Sequence, residues 1–60
     1  MTAQIRIYNG AVANPESDLL RTIIIEDIKS ITAEDGSFKV NRINGETISF
    51  DVETSKIIIE

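Results

Sequence analysis

The sequence predicts an all-β domain: a small antiparallel meander of about five strands, forming a curled sheet or a partly open SH3-like barrel. Three observations carry this reading. Twelve of the 60 residues are isoleucine and only two are leucine, and β-branched side chains favour strands over helices. Apolar and polar residues alternate with the period of two that a half-buried strand requires. Two glycine turns, tested by register arithmetic, bring apolar residues opposite apolar residues, as antiparallel pairing demands.

The first strand is "AQIRIY", Ala3 to Tyr8. Ala3, Ile5 and Ile7 fall on one face, and Gln4, Arg6 and Tyr8 on the other. Asn9-Gly10 ends it with a turn signal. The stretch "GAVANPESDLL" that follows is irregular. It admits at most one short helical turn near residues 15–20, with Asn14 as cap, Pro15 in the first helical position, and Glu16 and Asp18 near the positive end of the helix dipole. The alternative is a plain loop. A second strand runs from about Leu20 to Ile25. In "EDIKSI" the alternation then slips: Ile25 and Ile31 share parity, and Ile28 does not. A bulge or kink between Asp27 and Ser30 would turn Ile28 inward as well.

A two-residue turn at Asp35-Gly36 pairs Ala33 with Phe38 and Ile31 with Val40, and Asp-Gly favours a type I′ turn. At "RINGE" a two-residue turn fails, because it sets Val40 against Ser49 and Phe38 against Asp51. A three-residue loop, Ile43 to Gly45, pairs Val40 with Ile48, Phe38 with Phe50 and Arg42 with Glu46. This is a type I turn followed by a left-handed residue, a place glycine fills cheaply. The opposite face is then Ser37, Lys39, Asn41, Thr47, Ser49 and Asp51, all polar. For the last strand, Ile57 to Ile59, a four-residue loop sets Ile57 against Val52 and Ile59 against Phe50. The expected core face is Ile5, Ile7, Ile23, Ile25, Ile31, Phe38, Val40, Ile48, Phe50, Val52, Ile57 and Ile59.

Sixty residues make one domain, residues 1–60, near the lower size limit for independent folding. Such small domains usually add a disulfide, a metal or another subunit. The chain has no cysteine and no histidine, so disulfides, thiolate sites and the commonest zinc ligand are absent, and no cofactor is expected. Ten acidic residues against six basic ones give a charge of −4, which disfavours bulk nucleic acid as a partner. No apolar run approaches the ~20 residues of a membrane span. The N-terminal stretch lacks a secretory signal, and a cysteine-free chain suits a reducing cytoplasm.

Catalysis by a serine or threonine needs a base beside the nucleophile, and none is in view, so the chain is not expected to be an enzyme. Asp51 and Glu53 share a strand face by spacing. A solvated polar face explains them better than a metal or acid-base site. The cations are scattered over the strands. Arg6, Arg21, Lys29 and Arg42, with Tyr8 as a stacking platform, are the candidates for binding an anion. Ile24 and Ile58 point outward from strands that also carry core isoleucines, and Ile43 sits at a hairpin tip. These three are the candidate interface, to be covered by residues 10–20 or by another chain.

The stretch "IIIEDIKSITAEDGSFKVNRINGETISF" resembles the meander of small β modules such as bacterial pleckstrin-homology-like and LytTR-like domains. There a strand, a kinked d-I-x-x-I and two tight hairpins recur. The resemblance covers under half the chain and implies a fold without a function. The functional expectation is a non-enzymatic binding module, either a homo-oligomer or a small inhibitor or adaptor docking on a larger protein. The alternative is an oligomeric sponge that sequesters an anionic small molecule such as a nucleotide signal, of the kind a short viral or mobile-element protein supplies.

Overall fold

Unbroken alternation in Ala3–Tyr8 produces strand β1, which lies between two antiparallel neighbours. The computed structural model describes every residue from Met1 to Glu60. Five further strands follow: β2 (Leu19–Ile25), β3 (Ile28–Glu34), β4 (Ser37–Arg42), β5 (Thr47–Asp51) and β6 (Ser55–Ile59). They form two three-stranded sheets of order β2-β1-β6 and β3-β4-β5. Both sheets are open and no helix is present, so the all-β meander holds without closing into a barrel.

Only Glu26 and Asp27 separate β2 from β3, and the two strands are one chain path bent between sheets. Asp27 is the one non-glycine residue with positive φ, at 55°. Aspartate tolerates this left-handed region better than a β-branched residue would. The bend is held from both sides. The Ile28 amide donates to the Met1 carbonyl at 2.9 Å, and the Ile43 amide to the Asp27 carbonyl at 2.9 Å. A register shift between Ile28 and Ser30 leaves Lys29 as the extra residue. Ile28 thereby turns inward and is 3% exposed, as the slip in alternation predicts.

Both hairpin registers match the arithmetic. Ala33 pairs with Phe38 and Ile31 with Val40; Val40 pairs with Ile48 and Phe38 with Phe50. In the second hairpin the Gly45 amide donates to the Arg42 carbonyl, the Arg42 amide donates to the Glu46 carbonyl, and Gly45 has φ 92°. The first turn differs in type. A type I′ turn needs positive φ at both central residues, and here only Gly36 has it. That is the sign pattern of a type II turn. The Gly36 carbonyl accepts the Val52 amide at 3.1 Å, which ties the turn to the end of β5.

Residues 15–20 take the loop alternative and form no helical turn. Asn14 instead starts a β-turn closed by Ser17, and its side-chain oxygen accepts the Glu16 amide at 3.0 Å. Asparagine followed by proline favours such a turn as readily as a helix start. The last strand does not return to β5. It pairs with β1, setting Ile57 opposite Ile5 and Ile59 opposite Ala3. The Asp51 carboxylate accepts the Glu53 amide and turns the chain, and β1 catches it where Tyr8 donates to the Thr54 carbonyl at 2.9 Å. A third strand is what turns β1 and β2 from a marginal hairpin into a stable sheet. Val52 and Ile59 are therefore outside the core, at 54% and 59% exposed.

The core is Ala3, Ile5, Ile25, Ile28, Phe38, Val40 and Phe50, with Ile7, Ile23, Ile31, Ile48 and Ile57 packed against it. It draws on both sheets. The Phe38 and Phe50 rings stack at 5.4 Å, an arrangement worth about 0.5–1.5 kcal/mol beyond the area it buries. Gly45→Val is expected to destabilise the fold by at least about 1 kcal/mol. An added Cβ there meets nothing within 4 Å, so the cost is purely one of backbone conformation. Urea denaturation should show the loss, with Gly45→Asn milder than Gly45→Val. Ile5→Ala should cost about 2–5 kcal/mol by the same measurement, because Ile5 is fully buried.

Candidate functional site

The two outward faces differ in kind. On the β3-β4-β5 sheet, polar side chains satisfy one another. The Asn41 amide donates to Ser30 Oγ and Thr32 Oγ1 at 3.2 Å and accepts from Thr47 Oγ1 at 3.1 Å. Lys39 pairs with Glu34 at 3.1 Å. On the β2-β1-β6 sheet the register builds a different surface. Gln4 lies opposite Ile24 on one side and Ile58 on the other. Arg6 lies opposite Thr22 and Lys56 in the next row. Tyr8 and Leu19 are opposite each other beyond that.

One further row completes this face. The Glu60 amide donates to the Thr2 carbonyl at 2.9 Å, carrying the β1–β6 register past Ile59. Glu26 follows Ile25 directly at the end of β2, and both glutamates are exposed. An acidic row, an apolar row and a cationic row thus follow one another along the strands. The outward residues of β6 read Lys56 and Ile58, and Glu60 follows them just past its end. The two triple isoleucines place their central members, Ile24 and Ile58, in the same row. Ile24 is 61% exposed, and Ile58 is half-buried.

Residues 10–18 do not cover this row. Asn9 and Asp18 cinch that loop, with the Asn9 amide donating to the Asp18 carbonyl and the Asp18 amide to Asn9 Oδ1 at 2.8 Å. The loop stands beyond Tyr8 and Leu19, at the opposite end of β1 and β2 from Ile24. A Cβ at Gly10 would lie 2.7 Å from Ser17 Oγ, a contact that rotation of the Ser17 hydroxyl relieves. Along its shortest axis the molecule spans 15 Å, enough for two backbone layers about 10 Å apart and nothing outside them.

The cations named as anion binders are not gathered together. Arg6 and Arg21 project from opposite faces of their sheet, since Arg21 opposes Ile7. Lys29 is the extra residue of the β3 bulge. Arg42 is engaged: its guanidinium donates to Glu46 at 3.0 Å and to the Glu26 carbonyl at 3.2 Å, bracing the bend. Tyr8 shares a face with Arg6. Ile43, 68% exposed at the hairpin tip, lies apart from the Ile24–Ile58 row. The Asp51 carboxylate is engaged in its turn, and no three potential metal ligands converge. The surface has no cavity or cleft. No helix is long and apolar enough to cross a membrane.

Sequence reasoning missed the opposition of Arg6 and Lys56 and the bracing role of Arg42. The first depends on β6 returning to β1. The second had a partial signal in the Arg42–Glu46 pairing. No protein-family model matches the chain, and neither a curated protein nor a solved structure matches it.

Arg42→Ala should lower stability by about 1 kcal/mol through loss of the bonds that brace the bend. Arg42→Lys should fail to restore it, because a lysine lacks the forked donor that reaches both groups. Thermal melts of the two variants beside wild type would check this.

Proposed function

We propose that the protein is a small non-enzymatic binding module that works through its surface, and that it self-associates. The observation that carries the reading is Ile24, 61% exposed in the same outward row as Ile58. Burying a side chain of this size is worth about 1.5–3 kcal/mol, and no segment of the chain covers it. The total accessible surface, 4023 Å², is close to the about 3,900 Å² expected of a compact monomer of this mass. The fold is therefore about as closed as monomers of its size are, and burial of Ile24 would come from another molecule.

Docking on a larger protein, as an inhibitor or adaptor, would use the same apolar row. Sequestration of an anionic small molecule has less behind it. Arg6 and Arg21 face opposite ways, Arg42 is engaged, and there is no cleft. The absence of cysteine and histidine from the sequence agrees with a role free of bond-making and with a reducing cytoplasm.

Sedimentation velocity at micromolar concentration tests the reading. A dimer or larger assembly is expected, and Ile24→Lys should dissociate it more than Lys39→Glu does. A 6.7 kDa species at every concentration would overturn it. Native mass spectrometry of material purified from cells adds a second check: a retained nucleotide-sized ligand would favour sequestration.

A further inference from the structure

We infer that the outer face of the β2-β1-β6 sheet is self-complementary, and that a second copy of this chain packs on it face to face with its strands reversed. This rests on the self-association reading and adds the surface and the geometry.

Three rows cross the face. Arg6 and Lys56 form the cationic row, Ile24 and Ile58 flank Gln4 in the middle, and the acidic end is Glu60, bonded to Thr2 past Ile59, with exposed Glu26 next after Ile25. None of these four charges belongs to either ion pair of the chain, which are Lys39–Glu34 and Arg42–Glu46. The reason is geometric. Along one strand, Lys56 and Glu60 are four residues apart, roughly 13 Å, well beyond ion-pair reach.

A twofold axis between two stacked sheets has two simple settings. With the axis along the strands, each row faces itself, so the cationic row meets the cationic row and the acidic row meets the acidic row. With the axis across the strands, the order of rows reverses about the middle one. Ile24 then packs on the partner's Ile24 and Ile58 on the partner's Ile58. Lys56 faces the partner's Glu60, and Arg6 comes within reach of the partner's acidic row. Aligned sheets stack about 10 Å apart, a gap that a lysine and a glutamate span together. Gln4, whose Oε1 accepts from Arg6 Nε at 3.1 Å within the chain, lies on the axis with its amide nitrogen left to donate. The charges that cannot neutralise one another within a chain do so between chains.

The face is three strands wide and three rows long. It is smaller than the about 800 Å² per partner of a standard interface, so the association is weak, with a dissociation constant in the micromolar range.

The test is a charge swap followed by sedimentation at low salt. Lys56→Glu sets carboxylate against carboxylate at two symmetric places, and Glu60→Lys sets ammonium against ammonium. Each should raise the dissociation constant on the order of tenfold. Combining them restores opposite charges, and the double variant should return to within about threefold of wild type. In wild type, raising the salt should weaken association several-fold, because rim pairs are screened, and this arm needs no variant to fold. If wild type associates but the single swaps leave it unchanged, or the double variant stays as weak as the singles, this face is wrong and self-association uses another surface. Wild-type association that does not weaken with salt also counts against this face. If wild type never associates, the proposal and the reading beneath it both fall.

Discussion

The bend at Asp27 is the constraint on which the rest of the structure depends. Seven buried side chains are too few to hold one flat sheet, and an open three-stranded sheet buries only one face. Turning the path between Ile25 and Ile28 places a second sheet against the first, so that Ile25 and Ile28 enter the same core. A left-handed residue, the pairing of Met1 with Ile28, and the Arg42–Ile43 corner all act on this one point. The echo of two triple isoleucines follows from it. In the first, Ile23 and Ile25 pack into the core and Ile24 points away; in the second only Ile57 packs against the core, and Ile59, at the end of its strand, is 59% exposed.

That geometry uses up the chain. Two backbone layers and short turns account for nearly all residues, and the one long loop is tied to the far end of β1. The two outward faces then meet water on different terms. The β3-β4-β5 face is closed by its own hydrogen bonds and one ion pair. The β2-β1-β6 face presents exposed isoleucine beside charges that belong to no ion pair of the chain, and apolar surface left in water adds nothing to a monomer's stability. An exposed apolar row bordered by polar residues is the usual anatomy of a contact surface.

The order of charges along that face matters more than their number. A net charge of −4 opposes non-specific self-association at low salt. A surface that presents acid at one end and base at the other can still attract its own copy in one orientation and repel it in the other. Were the face to pair with its copy, the small apolar contact would leave the charges to decide the alignment.

Much of this was legible in the residues. Strand parity, the inward turn of Ile28, the three-residue loop at Gly45 and the polar face of the second sheet all depend on neighbours within a few positions. Side-chain alternation and turn chemistry act over that range. The outward positions of Ile24 and Ile58 were legible for the same reason. The partner of the last strand was not. Ile57 and Ile59 match apolar residues on β5 and on β1 equally well by parity, and only the closure of β1's second edge chooses between them. Hence the exposure of Val52 and Ile59, the shared row of Ile24 and Ile58, and the opposition of Arg6 and Lys56 were decided by tertiary structure. The local sequence sets which way a side chain points, but which side chains stand beside it depends on strand pairings made across the whole chain.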